Sequence, residues 1–222
     1  MLITGCSNDD ISSSELINNE RSDSAHQIQI KLEGSLQNPA WSPDGKLIVF
    51  TRFRSGYNKG PADLVVVDIE KGTIGTLVSD GSDNINLPGA VWNHVTDQIV
   101  FSSSREPHDE IFIIGAGEET GKEIKITDRD DYVAYEPSLS PDGQWIIFES
   151  HEVDVERNGI IMKFKIDGTE QYQNLTNTNN DSRQPNWSPE GKNILYQAFV
   201  NGQWEIWLMD DDGTNHHQIT SG

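Results

Sequence analysis

Four stretches of the chain, residues 39–50, 90–101, 137–148 and 185–196, align with one another without a gap. Each places a large apolar residue nine positions before an aromatic one: Trp41 before Phe50, Trp92 before Phe101, Leu139 before Phe148 and Trp187 before Tyr196. The anchors are 51, 47 and 48 residues apart. A repeat of that length marks a chain whose units cannot bury an apolar face alone and must stack on their neighbours, as in solenoids and propellers.

Within each repeat the residues dictate a β-hairpin. Ser42-Pro43-Asp44-Gly45, Ser140-Pro141-Asp142-Gly143 and Ser188-Pro189-Glu190-Gly191 join the two strands. Proline sets φ for the first turn position, the acid bonds the local backbone, and glycine takes the position that needs positive φ. The second repeat has Asn93-His94-Val95-Thr96-Asp97 in that place, so a differently shaped turn is expected there. A third strand follows at 62–68, 110–114, 159–164 and 204–209, then a short outer strand at 76–78, 124–127, 173–176 and 218–220. These runs are rich in Val, Ile, Phe and Trp and broken by Gly, Pro, Asn and Asp, with no helical periodicity. Four antiparallel strands per repeat make one blade, and the fold class is all-β, a β-propeller with four repeats visible.

The repeats resemble the TolB-type propeller repeat, with its Ser-Pro-Asp-Gly turn, Ile-x-Phe strand, Asp-Gly turn and closing Leu-Thr or Ile-Thr. The resemblance covers residues 27–222, divided at about 39–86, 87–135, 136–183 and 184–222. It implies the fold and leaves function open, because the family spans scaffold and sensor modules as well as domains attached to peptidases or polysaccharide lyases. Propellers with this repeat usually close with six or more blades. Four blades are therefore expected to belong to a longer propeller, to close alone with residues Gln27 to Glu33 as a spare strand, or to be completed by another chain. Unpaired strand edges would invite strand addition, giving a homo-oligomer or a surface filament.

Residues 1–26 read as a separate segment. Leu2-Ile3-Thr4-Gly5-Cys6 resembles the end of a bacterial lipoprotein signal, which implies lipidation at Cys6, the single cysteine of the chain. The polar run 7–26 reads as a flexible tether that cannot bury a core of its own. Together they imply a protein of the periplasm or outer cell surface, held to a membrane only through a lipid anchor. No apolar run approaches the ~18 residues of a membrane span.

Sixteen basic against 36 acidic residues give a net charge of -20, which repels nucleic acid and excludes it as a partner. A protein or glycan ligand is expected at the mouth of the channel, where the loops between second and third strands converge with those between blades. The first set supplies Arg52, Arg54, Tyr57, Arg105, His108, His151 and Gln197; the second supplies Asp83, Asp131, Tyr135, Glu136, Asp181 and Gln184. From these, Arg52, Arg54, Arg105, His108, Tyr135, Glu136, His151 and Gln197 are the candidate ligand contacts, with arginine forks suited to carboxylates.

No nucleophile elbow, zinc-protease motif or phosphate loop occurs, so a non-catalytic role is expected. The resemblance keeps two enzymatic alternatives open, a metal-dependent polysaccharide lyase using His108, His151 and Gln197, or the propeller domain of a peptidase. No cofactor or metal is assigned. Asp210-Asp211-Asp212-Gly213 could accept calcium through its carboxylates, but it stands where the third repeat has the hairpin turn Asp167-Gly168.

Overall fold

The computed structural model describes residues 30–79, 85–86, 92–115, 122–155 and 158–222. Cys6, the tether and Asp83 lie outside them. The described strands form four separate four-stranded antiparallel sheets, each a meander in chain order. Blade 1 holds β1 (Ser35–Trp41), β2 (Leu47–Phe53), β3 (Ala62–Asp68) and β4 (Thr73–Val78). Blade 2 holds β5 (Ile85–Asn86), β6 (Gln98–Ser103), β7 (Glu110–Gly115) and β8 (Glu123–Lys125). Blade 3 holds β9 (Tyr132–Leu139), β10 (Trp145–Glu152), β11 (Ile160–Lys165) and β12 (Gln173–Asn174). Blade 4 holds β13 (Ser182–Trp187), β14 (Asn193–Val200), β15 (Gln203–Asp210) and β16 (His217–Gln218).

The Ser-Pro-Asp-Gly turns form as their chemistry demands. Ser42 donates its hydroxyl to Asp44 (2.7 Å) and accepts the Leu47 amide (2.8 Å), while Asp44 accepts the Lys46 amide. Ser140 and Asp142 repeat the arrangement. In blade 2 the Asn93 carboxamide takes over, accepting the Val95 and Thr96 amides, and the left-handed residue moves one place later, to Asp97 at φ 52°. That turn is differently shaped, as its sequence requires. Gly45 and Gly143 share φ near +70°, yet a Cβ on Gly45 would meet open space whereas one on Gly143 would lie 2.3 Å from Thr96 Cγ2. Gly45→Ala is therefore expected to cost only the left-handed penalty, about 1–2 kcal/mol. Gly143→Ala should cost visibly more, because it also pushes on the turn of blade 2; parallel urea melts of the two variants check the order.

Sheet boundaries fall a few residues before the repeat boundaries read from the sequence. The first strands of blades 1, 3 and 4 each carry a bulge at a residue that precedes a proline, Asn38 (φ 54°), Glu136 (φ 46°) and Gln184 (φ 53°), with a register shift beside it. The bulge interrupts the period-2 pattern, so the polar half of the strand before it is hidden from a pattern search.

Blades pack face to face in sequence, blade 1 on 2 through β3 and β5, blade 2 on 3 through β6, β7 and β9, and blade 3 on 4 through β9, β10, β11 and β13. No comparable strand packing joins blade 4 back to blade 1 among the described residues. One large apolar cluster runs through blades 1 to 3, with Phe101 and Phe148 fully buried, and a second, containing Ile147, Ile161, Leu175, Tyr196 and Met209, joins blades 3 and 4. Residues 30–33, read from sequence as part of an extra outer strand, form none. Ile30 and Leu32 instead lie over Phe50, Val65 and Val67 on the face of blade 1 that points away from blade 2.

Candidate functional site

A hydroxyl at the end of the outer strand secures three of the blades to the start of the third strand. Ser79 donates to Asp63 (2.5 Å), Thr127 to Glu110 and Thr220 to Glu205 (2.5 Å). In blades 2, 3 and 4 the threonine also accepts a third-strand amide, from Ile111, Ile161 and Ile206 respectively. These acids are fully committed within their blades.

Arg54 belongs to this framework. It grips Asp63 through Nε (2.8 Å) and Nη2 (2.6 Å) and reaches Ser79 as well. Burial raises the Asp63 carboxyl, but the bonds from Arg54 and Ser79 outweigh it and hold the group below the usual range. Arg54→Met is expected to cost about 1–3 kcal/mol by leaving Asp63 short of donors, measured as a lower melting temperature with ligand affinity unchanged. Arg52 donates to the Glu33 carbonyl (2.8 Å). Arg105 pairs with Glu123 and stacks over Phe112, 4.4 Å from its ring centre. The three arginines thus sit in the walls of blades 1 and 2.

The remaining candidates converge on blades 2, 3 and 4. Gln197 donates to the Gln184 side-chain oxygen (2.6 Å), and Gln184 donates across the blade boundary to Glu136 (3.2 Å). Gln184 and Glu136 are the bulge residues of adjacent first strands, so the bulges turn both side chains toward one another. Behind Glu136 lies Glu149, 3% exposed on β10. Burial first, and the neighbouring Glu136 carboxyl second, push Glu149 well above the carboxylate range; Arg183, 3.6 Å away, opposes the shift without cancelling it. Glu136 Oε2 is buried with no donor among its neighbours except a proton held on Glu149. Arg183 is itself anchored on Asp181 (2.9 Å), which accepts the Gly159 amide (2.9 Å).

Tyr135 flanks this chain of groups. Its own burial, and then the neighbouring Asp109 carboxyl, raise the phenol; burial likewise raises Asp109, and the Tyr135 ring lies 5.5 Å from that of His151. His108 bonds the Arg129 carbonyl (2.7 Å). His151 also lines a cavity of about 290 Å³ with Tyr132, Glu152, Asn158 and Thr178. The result is a row of amides and acids from Gln197 to Asp109 in which only part of the donor and acceptor capacity is spent. No group of three or more His, Cys, Asp or Glu side chains placed to hold a metal ion forms among the described residues.

Of the eight sequence candidates, Glu136 and Gln197 share one network through Gln184, Tyr135, His151 and His108 border it, and Arg52, Arg54 and Arg105 do not join it. Gln184 was among the loop residues but not the final set, and Glu149 was missed. Both left a signal. Gln184 precedes a proline at the same repeat position as Asn38 and Glu136, and Glu149 follows directly on the apolar run Trp145-Ile146-Ile147-Phe148.

The family profile of the TolB beta propeller domain matches residues 11–222. The chain is 23% identical over 237 aligned residues to the Tol-Pal system protein TolB of Francisella tularensis subsp. holarctica, covering 87% of this chain and 53% of that protein. It therefore spans about half the length of the relatives it matches. Among solved structures, TolB from Acinetobacter baumannii superposes with a TM-score of 0.64 at 20% identity, over 85% of this chain and 44% of that one. An oligogalacturonate lyase in complex with manganese gives 0.64 at 12% identity, over 86% and 54%. At these identities the superpositions establish the fold alone.

Proposed function

Because the chain belongs to the TolB β-propeller domain family, we propose that it is a non-catalytic binding module of the bacterial envelope that recognises a protein segment at the mouth of its channel. The observation that carries this reading is the row Gln197, Gln184 and Glu136, which crosses from blade 4 to blade 3 on bulged first strands. Side-chain amides carry the same donor and acceptor as a peptide group, so they suit an extended main chain. A glycan would ask for open aromatic platforms, and Tyr135 is already engaged by Asp109 and His151. The likeness to TolB proteins supports an envelope setting in the periplasm, and Cys6 would supply a lipid anchor.

A metal-assisted lyase would need His108, His151 and Gln197 around one ion. His108 donates Nε2 to the Arg129 carbonyl and Gln197 donates Nε2 to Gln184, so each is already held in the framework of its own blade. That framework role supports the reading of a binding module.

The test places a photoreactive amino acid at Gln184 and, as a control on the opposite, turn-bearing end of the blades, at Lys46. Irradiation in the bacterial periplasm should give a discrete protein adduct from position 184 and none from position 46. Equal labelling, or none at 184, would overturn the proposal.

A further inference from the structure

The repeat allows one blade boundary to be compared with the next. Between blades 2 and 3 the guanidinium of Arg129 fills the space over the sheet. Its centre lies 4.0 Å from the Tyr132 ring centre and 5.2 Å from that of Tyr172, and Nη1 meets Ser150 Oγ at 3.1 Å and Met162 Sδ at 2.8 Å. Strand register carries Tyr132, Tyr172, Ser150 and Met162 onto Asn180, His216, Ala198 and Trp207 one blade later. Arg129 stands two residues after the threonine that ends the outer strand, and its counterpart is Thr178, too short to fill the same volume. Between blades 3 and 4 there is instead a cavity of about 280 Å³ lined by Asn180, Ala198, Trp207 and His216 together with Thr176, Asn177 and Tyr196. Its walls are the facing sides of these two blades, so it does not depend on what lies beyond residue 222.

The boundary has lost its acid as well as its arginine. In blades 1, 2 and 4 the hydroxyl that ends the outer strand donates to Asp63, Glu110 or Glu205. At that position blade 3 has Ile160, so Thr176 accepts the Ile161 amide (2.8 Å) but has no acid to receive its own proton. His216 Nε2 faces the Gly213 carbonyl (2.8 Å) and must carry the hydrogen, which leaves Nδ1 to accept the Tyr196 hydroxyl (2.8 Å). Burial raises the Tyr196 phenol, whereas Tyr172, also raised by burial, feels the charges of Glu110 and Arg129 too. Among the described residues no Asp, Glu, Lys or Arg lines the cavity. An ion entering it would be desolvated without a countercharge, and a purely apolar ring would leave the Thr176 hydroxyl and the rim carboxamides unpaired.

We propose that the boundary between blades 3 and 4 binds one neutral sugar ring, with an apolar face on Trp207 and hydroxyls among Thr176, Asn177 and Asn180. Asn177 and Asn180 are exposed at the rim while Tyr196 and Ala198 are buried behind it, so polar groups meet the ring's edge and apolar ones its depth. The volume lies just under the ~300–1,000 Å³ of pockets for drug-sized ligands, which limits the occupant to a single ring. The site is separate from the channel-mouth row, and its test needs no protein partner.

Titration of the purified chain with methyl glycosides of neutral hexoses, followed by nuclear magnetic resonance, should show at least one binding at about 1 mM or tighter. The matching uronate, the amino sugar and methylguanidinium, a mimic of Arg129, should each bind at least tenfold more weakly. Trp207→Leu should weaken the neutral glycoside at least tenfold. Thr178→Arg combined with His216→Tyr, which rebuilds the filling of the preceding boundary, should do the same without lowering the melting temperature. Trp41→Leu, which removes an exposed indole from blade 1, should leave the affinity unchanged. No neutral glycoside bound at about 10 mM, equal binding of a charged probe, or binding indifferent to both changes at the boundary would overturn the proposal.

Discussion

Phe148→Ala is expected to lower the free energy of unfolding by about 3–5 kcal/mol, the range for truncating a fully buried aromatic ring. Phe148 is fully buried in the cluster that runs through blades 1 to 3, and the edge of Tyr172 meets its ring at 6.2 Å between centres. Removing the ring takes away its transfer energy and leaves a cavity between two β-sheets, whose hydrogen-bonded ladders collapse poorly onto a void. Against a total stability of about 5–15 kcal/mol, that is enough to cut deeply into the folded population. The repeat supplies an internal control. Phe50 holds the same position in blade 1 but is covered by Ile30 and Leu32 rather than by a whole blade. Phe50→Ala should therefore cost clearly less, and urea melts of both variants read the difference directly.

Glu149→Gln is expected to stabilise the protein at alkaline pH by about 2 kcal/mol and to change little near pH 4. Burial and the adjacent Glu136 raise the folded-state value of Glu149 above the ordinary glutamate value. Between the two values the native state holds a proton that the unfolded chain releases. The contribution of the protonated group is thus fully present below the unfolded value and is lost as pH rises through the folded one, with each unit of separation amounting to about 1.4 kcal/mol. Glutamine keeps the neutral shape and removes the titration. Stability measured against pH should slope downward for the unaltered protein and be flatter for the variant. A variant that is less stable at pH 8 would show that the Arg183 ion pair governs the site instead.

The four-blade plan was legible because the Ser-Pro-Asp-Gly turns and third strands recur with little change; β3, for example, spans the very residues 62–68 that the pattern marks. What the pattern hid is as instructive. The first strands begin before the repeats appear to, since the bulges at Asn38, Glu136 and Gln184 break the alternation on which strand reading depends. The spare strand expected at 27–33 does not form in its described part, where Ile30 and Leu32 instead cover the face of blade 1.

Site residues were harder. Loop position alone grouped Arg54 with Gln197, although Asp63 claims the first inside its own blade and the second faces a neighbouring blade through Gln184. Partnership of this kind depends on which acid ends up beside which arginine, and nothing in a linear repeat encodes that pairing. Glu149 was legible only as a carboxyl set directly after the apolar run Trp145-Ile146-Ile147-Phe148 and buried with it.

If the row from Gln197 to Glu136 receives a protein partner, the affinity of that partner, once cross-linking at position 184 has recovered it, must depend on the side chains of the row. Calorimetric titration against the unaltered chain, Gln184→Ala and Glu136→Gln should show each substitution weakening binding at least tenfold, about 1.4 kcal/mol, with the melting temperature of Gln184→Ala unchanged. Equal affinities for all three chains would contradict the account and move the binding surface elsewhere on the propeller.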